Sequence, residues 1–342
     1  MRKLSILLLP LPRREMIKKV VLAHHTPYLA SHVREKLDSA LEYRNCPSCG
    51  ENDYTVLFES NMKDGDFREE VDTVYMLPGD KYARHVKCRN CHLVYVNPIE
   101  GNGRISEDYS QRKSNDASII RGSRLKAAES QVQLVKKHSC GANLLDVGCG
   151  EGFFLFYASR MGYAVKGIEL SQDAAEYAKK EFDLDVEAKL FEEARLQDNY
   201  FDVVTLWQVL EHVPQPLVIL KEVHRILKPG GLVMVSTPDF GGVPANILRR
   251  RWWNIRRLHI NQFTTGTLKS TLGNAGFRDV SSFCYKEHIS LPMLVIPLLK
   301  HFRIHQRREA FIRSKHTWSE IINKITFVYP SRLDNCNMIG FK

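Results

Sequence analysis

Residues 144–154 read Leu-Leu-Asp-Val-Gly-Cys-Gly-Glu-Gly-Phe-Phe, an apolar strand that runs into a glycine-rich turn and then into an amphipathic helix. Glycines at alternate positions let the backbone approach a ligand closely, and the N-terminus of the helix adds amide donors. The dinucleotide fingerprint GxGxxG would need a glycine at position 153, but that residue is Phe153 and the third glycine is Gly152. The spacing therefore disfavours NAD binding.

A carboxylate follows at the end of the next predicted strand. Glu169 lies about twenty residues beyond the turn, where a carboxylate can accept hydrogen bonds from both hydroxyls of a ribose. The turn and the carboxylate together indicate an adenosine ligand. A solvated strand end is the alternative for Glu169.

Strands and helices alternate outward from the turn. Predicted strands cover residues 143–147, 164–169, 185–189, 201–207, 232–236 and 280–285. Predicted helices cover residues 117–138, 153–161, 172–181, 217–227 and 268–275. Ser171 stands where a helix N-cap belongs, and Pro216 suits a first helical position. The pattern predicts an α/β fold with a Rossmann-like, doubly wound sheet.

Four of the eight cysteines form two pairs, Cys46 with Cys49 and Cys88 with Cys91, each with two residues between them. Two such turns supply a closed tetrahedral site suited to structural zinc. In a chain without a convincing secretory signal, this pattern is more typical of a metal site than of disulfides, and a redox role is the minor alternative. Short strands are expected at 54–59, 84–87 and 93–96, which predicts a zinc ribbon with an insertion around 64–79.

Four motifs in order resemble the class I S-adenosylmethionine-dependent methyltransferases. They are the glycine-rich turn, Glu169, the sequence FDVVTLWQVLEHV at 201–213 and the sequence LKPGG at 227–231. The resemblance runs from about residue 140 to residue 288 and implies S-adenosylmethionine as the cofactor. A zinc ribbon before this fold, followed by Tyr109, is similar to methyltransferases of natural-product, sugar and cell-surface pathways, and some ribosomal RNA methyltransferases share it.

The resemblance also implies roles for individual residues. Gly148, Cys149 and Gly150 would line the methionine half of the cofactor, with Asp146 supporting its amino group. Glu169 would hold the ribose, a residue near Phe191 or Glu192 would flank the adenine, and Gln208 would lie beside the methionine moiety. The complete predicted cofactor-binding set is Asp146, Gly148, Cys149, Gly150, Gly152, Glu169, Leu170, Phe191 and Gln208.

The same resemblance implies a seven-stranded sheet whose last strand is antiparallel, and residues 337–341 are the natural candidate for it. The predicted organisation is an N-terminal extension at 1–45, the zinc ribbon at 46–99, a linker and helix at 100–138, and the methyltransferase domain at 139–342 with an insertion at 289–335. Residues 1–15 are interpreted as an apolar tail or as residues upstream of the true start at Met16.

Two histidines are candidates for the base that removes an acceptor proton. His212 and His259 both follow strands whose ends should face the cofactor. The family places a similar histidine before a Phe-Thr helix start, which favours His259 slightly. For each histidine, a structural hydrogen-bonding role is the alternative.

The C-terminal part of the chain carries the excess positive charge. Residues 245–342 hold 17 Lys or Arg against five Asp or Glu, whereas residues 1–244 hold 32 against 34. The stretch RRRWWNIRR at 249–257 lies in a loop where this fold usually meets its acceptor. Its arginines could bind phosphates and its tryptophans could stack on a ring, or the tryptophans could pack inward beneath solvated arginines.

These observations predict a cytoplasmic methyltransferase that acts on a small or carrier-linked acceptor, such as a sugar, glycan, lipid or natural-product precursor, with oxygen as the expected methyl acceptor. A phosphate on the acceptor would meet the arginines. The alternative is a ribosomal or transfer RNA methyltransferase that grips RNA with the ribbon and the basic region. The apolar run at 289–299 is too short to span a bilayer, which leaves peripheral membrane contact open.

Overall fold

The computed structural model describes residues 41–62, 82–101, 106–107, 109–110, 121–139, 141–290 and 326–342. Several predicted features lie outside these residues. They are the N-terminal extension up to residue 40, the insertion around 64–79, most of the linker at 100–116 and residues 291–325, which include most of the apolar run. Among the described helices, none combines the length and the apolar character needed to cross a membrane.

A seven-stranded sheet forms the centre of the fold. Its strands are β6 (Asn143–Val147), β7 (Ala164–Glu169), β8 (Val186–Ala188), β9 (Phe201–Trp207), β10 (Leu227–Pro238), β12 (Arg278–Ser282) and β15 (Asn335–Phe341). Their order across the sheet is β12-β15-β10-β9-β6-β7-β8. β15 runs antiparallel to both β10 and β12, and the other pairs are parallel. The predicted α/β class, the seven strands and the antiparallel last strand are confirmed.

Six α-helices accompany the sheet between residues 121 and 290. They are α1 (Arg121–His138), α2 (Phe153–Arg160), α3 (Gln172–Phe182), α4 (Pro216–Ile226), α5 (Val243–Leu248) and α6 (Thr265–Asn274). Ser171 caps α3, since its hydroxyl accepts a hydrogen bond from the backbone N–H of Ala174 at 3.3 Å. Pro216 is the first residue of α4, as predicted. α1, which the sequence places before the methyltransferase domain, packs against α2 and the strand Lys286–Ser290, here β13.

Successive side chains of a strand point to opposite faces of the sheet, so the core consists of two clusters, one on each face. Leu144 of β6 packs on one face with residues of α1, α2 and α3, including Val132 and Leu155. Leu145 packs on the other face with residues of α4 and α6. The second cluster also contains Leu93 and Tyr95 of the cysteine-rich segment, so this face continues into that segment without a break.

The cysteine-rich segment shares a sheet with the methyltransferase fold. β2 (Tyr54–Phe58), β3 (His85–Cys88) and β4 (Val94–Val96) pair antiparallel, and β11 (Asn261–Gln262) adds a fourth strand beside β4. A smaller pair joins β1 (Leu41–Glu42) to β5 (Ile99–Glu100). β13 pairs antiparallel with β14 (Thr326–Pro330), which lies within the predicted insertion at 289–335.

Arg44 connects the segment to the fold through backbone carbonyls. Its guanidinium donates to the carbonyl oxygens of Val96 at 3.1 Å, Pro214 at 2.6 Å and Ile260 at 3.0 Å. A further bond at 3.1 Å reaches Oδ1 of Asn261. Burial lowers the pKa of Arg44 to about 10. The guanidinium nevertheless stays charged at neutral pH, so these are charge-assisted bonds.

We expect Arg44→Met to lower the free energy of unfolding by about 2–4 kcal/mol, because it leaves several buried carbonyl groups without a donor. Urea denaturation measures the change. Arg89→Met is the matched control, since the Arg89 side chain is 61% exposed and its ion pair with Asp53 lies at the surface. Equal losses in the two variants would contradict the role given to Arg44.

Candidate functional site

The glycine-rich turn follows β6, and its three glycines all have positive φ. At Gly148, a Cβ atom would lie 2.7 Å from Cγ2 of Val209, so only glycine fits. At Gly152, a Cβ atom would lie 2.7 Å from Cδ1 of Leu184 and 2.9 Å from Cβ of Ala178. Gly150 has open space where a side chain would stand. Gly148 and Gly152 therefore serve close packing, whereas Gly150 leaves its surface accessible.

The Glu169 carboxylate is oriented by the backbone around it. Oε2 accepts a hydrogen bond from the N–H of Gly150 at 2.8 Å, and Oε1 accepts one from the N–H of Ser171 at 2.8 Å. The first bond ties the end of β7 to the glycine-rich turn, and the second ties it to the start of α3. The alternative of a solvated strand end does not describe this geometry. The carboxylate keeps further lone pairs that can accept hydrogen bonds from a ligand.

Asp146 lies at the end of β6 and is only 2% exposed. Its Oδ1 accepts a hydrogen bond from the Thr205 hydroxyl at 2.7 Å. Burial raises the pKa of Asp146 to about 8, the Thr205 bond lowers it, and the nearby Glu169 raises it. A buried carboxyl of this kind is well suited to bind a cationic ligand group, because such a group would offset the cost of ionising it.

The other predicted cofactor residues have varied surroundings. Cys149 and Phe191 are buried, Leu170 is half-buried and Gln208 is exposed. Phe191 belongs to the core, so it presents little surface to a ligand. Gln208 has a φ of 59° just after β9, and its Nε2 donates to Oγ of Ser236 at 3.2 Å and to Oδ1 of Asn335 at 3.3 Å. These bonds hold the Gln208 amide between β10 and β15.

The two candidate histidines come together on the same side of the sheet. The ring centroids of His212 and His259 lie 4.6 Å apart, although 46 residues separate them in the chain. Glu211 is 1% exposed and follows β9 in the chain, immediately before His212. Its Oε1 lies 3.8 Å from Nε2 of His212. One ligand-type atom from each of the three residues lies within 4.8 Å of the other two. The structure thus gathers both histidines beside a buried carboxylate.

Two further side chains complete this cluster. The Tyr109 hydroxyl contacts Nδ1 of His212, and the two rings lie 5.1 Å apart. Nη2 of Arg256 contacts Nε2 of His259. Tyr109 stands in the sequence only as a marker of the resemblance, and Arg256 as one of several arginines in 249–257. Nothing in the sequence marks Tyr109, Arg256 or Glu211 as a member of this cluster, except that Glu211 immediately precedes His212.

An acidic wall borders Gln208 on the side of β15. We use this term for Asp239, Asp334 and Glu287. Burial raises the pKa of Glu287 to about 7 and that of Asp334 to about 6, and it also raises the pKa of Asp239. None of the three carboxylates forms an ion pair with a Lys or Arg of the described residues. This wall disfavours an anionic group close to Gln208.

The arginine and tryptophan stretch divides into exposed and buried parts. Arg249, Arg250 and Arg251 are exposed on a 3₁₀ turn after α5. Trp252 is 1% exposed and Arg257 is 6% exposed, and the guanidinium of Arg257 forms an ion pair with Glu100 at 2.5 Å. Trp253 remains 38% exposed. Arg249, Arg250, Arg251 and Trp253 are therefore the exposed residues of this stretch, and Arg256 is half-buried.

The four paired cysteines meet at one point. The Sγ atoms of Cys46 and Cys91 lie 3.4 Å apart, those of Cys49 and Cys88 lie 3.6 Å apart, and all four lie within 4.8 Å of one another. Hydrogen bonds, above all the one with Cys46, lower the pKa of Cys91 to about 5. The hydrogen bond with Cys91, together with burial, raises the pKa of Cys46. Sulfur atoms bound to one zinc at about 2.3 Å lie about 3.8 Å apart, so this geometry fits a zinc ion.

Comparisons with known proteins cover part of the chain. A family model described as "Methyltransferase domain" matches residues 120–282. The ubiquinone biosynthesis O-methyltransferase of Neisseria meningitidis is 38% identical over 106 residues, which are 29% of this chain and 44% of that protein. Its Coxiella burnetii counterpart is 31% identical over 130 residues, which are 36% of this chain and 53% of that protein. The chain thus spans about half the length of the curated relatives it matches.

Solved structures give similar matches. A SAM-dependent methyltransferase of Thermotoga maritima, described as a possible histamine N-methyltransferase, covers 67% of this chain and 95% of its own, at 21% identity and a TM-score of 0.46. A Haloferax volcanii methyltransferase in complex with the activator Trm112 covers 68% of this chain and 97% of that chain, at 17% identity and a TM-score of 0.44. The motifs of the sequence, the seven-stranded sheet and the family match agree for one part of the chain: residues 120–282 belong to a class I S-adenosylmethionine-dependent methyltransferase domain.

Proposed function

We propose that this protein transfers a methyl group from S-adenosylmethionine to an oxygen atom of a small molecule. The observation that carries the proposal is the joint placement of Glu169 and the glycine-rich turn, linked by the 2.8 Å bond from Gly150, next to the buried Asp146. The O-methyltransferase names of the curated relatives support the choice of oxygen. Calorimetric titration with S-adenosylmethionine is the first test, and absence of binding would overturn the proposal.

The residues fit the cofactor on physical grounds. Glu169 is already held by two backbone amides, so little side-chain entropy is lost when it accepts the ribose hydroxyls. The open surface of Gly150 leaves room for the methionine half. Asp146 would bind the amino group, and Gln208 would lie beside the methionine moiety. Cys149, Gly148, Gly152, Leu170 and Phe191 would support this site chiefly through packing.

The bound cofactor supplies an electrophilic methyl group on a sulfonium. Transfer to an acceptor hydroxyl breaks the methyl C–S bond, forms a C–O bond, leaves a neutral thioether and releases the hydroxyl proton. The protein must therefore align the acceptor oxygen with the methyl group and take up its proton. We place the acceptor oxygen against His212 and His259, because these side chains lie together at the carboxyl end of β9.

A carrier-linked or phosphorylated acceptor belongs to the same proposal. Its phosphate would bind Arg249, Arg250 and Arg251, which are exposed, and would avoid the acidic wall. The RNA alternative relies on the same three arginines together with the cysteine-rich segment. RNA binding would fall steeply with added salt, whereas recognition of a small neutral acceptor would depend on salt only weakly.

We expect Glu169→Gln to weaken binding of S-adenosylmethionine about ten- to a hundredfold, because the ribose would lose charge-assisted hydrogen bonds. Isothermal titration calorimetry measures the affinity. Glu176→Gln is the matched control, since Glu176 lies on the exposed side of α3 and bonds only within that helix. Unchanged affinity in Glu169→Gln would remove Glu169 from the site.

We expect Asp146→Asn to change the pH dependence of stability as well as ligand binding. Burial raises the pKa of Asp146 from 3.8 to about 8, so its protonated form favours folding and that contribution is lost as pH rises across this interval. Asparagine does not ionise. Between pH 5 and pH 8, the variant should therefore gain roughly 1–4 kcal/mol in free energy of unfolding relative to the native chain.

Urea denaturation at the two pH values measures this gain, with the exposed Asp173→Asn as control. The same Asp146→Asn variant should bind S-adenosylmethionine at least tenfold more weakly, because it lacks the carboxylate that would pair with the amino group. A stabilised variant with native affinity would show that Asp146 does not contact the cofactor.

We further propose that Cys46, Cys49, Cys88 and Cys91 hold a structural zinc ion. Their distances and the absence of ordinary disulfide pairing among them support this assignment. The metal would stabilise more than the ribbon, because Cys46 and Cys88 belong to the same core cluster as Leu268 and Leu272 of α6.

We expect the purified chain to contain one zinc ion, and Cys91→Ser to lose it together with several kcal/mol of stability. Elemental analysis and thermal denaturation measure the two effects. Cys284→Ser is the control, because Cys284 is an exposed free cysteine outside the cluster. Full zinc content in Cys91→Ser would contradict the assignment.

A further inference from the structure

The acidic wall of Asp239, Glu287 and Asp334 takes no part in the proposed methyl transfer. Asp239 follows β10 and Asp334 precedes β15, and the backbone N–H of Asp239 donates to the carbonyl oxygen of Asp334 at 2.8 Å. Burial raises the pKa of Asp334, and the charge of Asp239 raises it further. Burial likewise raises the pKa of Glu287, and the charge of Asp334 adds to this effect. Each carboxylate therefore lies close enough to the next to repel it.

Three buried oxygen atoms in and beside the wall have no hydrogen-bond partner among the described residues. They are Oε2 of Glu287, Oδ1 of Asp334 and Oδ1 of Asn337. Asn337 is 2% exposed and lies on the same face of β15 as Asn335, which accepts a bond from Gln208. Its Nδ2 donates to Oγ of Ser331 at 3.0 Å, which fixes the amide. All three oxygen atoms are acceptors, so a ligand that satisfies them must be a donor.

The wall and the two candidate histidines flank the carboxyl end of β10. The Tyr285 hydroxyl forms hydrogen bonds with Ser236 of β10 and with Glu287 of the wall. The next residue of β10, Thr237, donates to Oε2 of Glu211 at 2.8 Å, beside the histidines. Successive residues of a strand face opposite sides of the sheet. A molecule that lies across the end of β10 would therefore meet the wall on one side and the histidines on the other.

Aromatic side chains lie at the acidic wall, and each of its three carboxylate residues is half-buried. The indole of Trp253 lies beside Asp334 and is 38% exposed, so solvent reaches the wall at this point. Tyr329 lies near both Glu287 and Asp334. The faces of aromatic rings attract cations, and a Trp ring does so most strongly. These surroundings suit a positively charged group of a ligand.

The wall suits an organic ammonium ion better than a metal ion. The ligand atoms of a metal site converge, as those of the four paired cysteines do within 4.8 Å of one another. Among the described residues, the three carboxylates of the wall form no such group. A primary ammonium group has three N–H donors and no acceptor, so it complements oxygen atoms that lack a donor. An organic amine also brings carbon atoms that can contact the aromatic side chains.

We propose that the methyl acceptor carries a basic amine and that the acidic wall binds this amine as an ammonium ion. The inference rests on the proposed function, because it names the chemical class of the acceptor at the same site. The acceptor is then an amino alcohol, for example an amino sugar. Its ammonium group lies at the wall, and its hydroxyl group lies toward His212 and His259. The positive charge stabilises the buried carboxylates in their ionised form, which offsets part of the cost of their burial.

Binding at the wall also determines which atom of the acceptor is methylated. An ammonium group has no lone pair, so it cannot attack the methyl group of the sulfonium. The hydroxyl oxygen keeps its lone pairs and remains the nucleophile. The wall therefore directs the methyl group to oxygen, although an unprotonated amine is the stronger nucleophile.

The test compares three sugars that differ in one group, namely glucosamine, N-acetylglucosamine and glucose. Glucosamine carries an ammonium group where N-acetylglucosamine has a neutral amide and glucose has a hydroxyl. The full chain is loaded with S-adenosylhomocysteine, so that no methyl group is transferred, and ligand-observed NMR measures the affinity for each sugar. We expect glucosamine to bind about tenfold more tightly than the two neutral sugars, because only its ammonium group can pair with the wall.

We expect Glu287→Gln and Asp334→Asn each to reduce this preference to about twofold or less, because each removes one negative charge and keeps the shape of the side chain. Urea denaturation checks that each variant is folded. Asp279→Asn is the matched control, because Asp279 is exposed on β12 and lies outside the wall. The control should keep the full preference for glucosamine.

Equal affinity for the three sugars, including no measurable binding of any of them, would overturn the proposal, as would a preference that persists in both variants. Calorimetry with S-adenosylmethionine accompanies each titration. Glu287→Gln should bind the cofactor with native affinity, and a loss of about tenfold would show that the wall serves the cofactor instead. A native chain that binds S-adenosylmethionine without preferring glucosamine would refute only the amine site, whereas a chain that does not bind S-adenosylmethionine would refute the proposed function.

Discussion

The parallel pairing of β6 with β9 is the constraint on which the rest of the site depends. The chain winds from β6 through β7 to β8 on one side of this pair, and from β9 through β10 on the other. Their carboxyl ends therefore open a crevice at the point where the winding reverses. The glycine-rich turn leaves β6 on one side of the crevice, while Gln208 and Glu211 leave β9 on the other. The residues that the proposed function assigns to the cofactor and to the acceptor meet because these two strands pair, although about sixty residues of chain separate them.

Several carboxyl groups at the site are buried, which lowers the stability of the fold. Asp146, Glu211 and Glu287 all have pKa values raised to about 7 or 8, and each case results mainly from desolvation. Such groups reduce the stability of the ligand-free chain, because their charged forms are poorly solvated. Their concentration at one edge of the sheet marks that edge as functional, since a purely structural sheet would place apolar residues there.

The sequence predicted much of this architecture. Strand and helix positions followed from hydrophobic alternation, and Ser171 and Pro216 marked helix starts by their local chemistry. The spacing of Gly148, Gly150 and Gly152 excluded a dinucleotide turn, and the paired cysteines predicted a common centre. Each of these signals depends on residues that are close together in the chain, so it can be recognised from one sequence. The sequence predicts helix α1 as a segment before the methyltransferase domain, because nothing in the helix itself shows which surface it packs on.

The parts that the sequence could not give depend on contacts between distant segments. Arg44 resembles any other arginine near a cysteine turn, and only the folded chain shows that it bonds carbonyls of β4 and of the segment before β11. Arg256 and Arg257 are neighbours with opposite surroundings, one beside His259 and the other paired with Glu100. Pairing of β11 with β4 was likewise invisible, because a strand of two residues has no periodic pattern.

The pairing of β11 with β4 joins the cysteine-rich segment to the methyltransferase fold. β11 begins two residues after His259, and β4 begins three residues after Cys91. The hydrogen-bonded pairing of these two strands therefore fixes the position of His259 relative to the four paired cysteines. The cysteine-rich segment is therefore joined to the wall of the proposed acceptor site rather than being a separable appendage. A fragment beginning at residue 139 would leave β11 as an unpaired edge and would remove Cys46, Cys88, Leu93 and Tyr95 from the core cluster that also contains the fully buried Phe263.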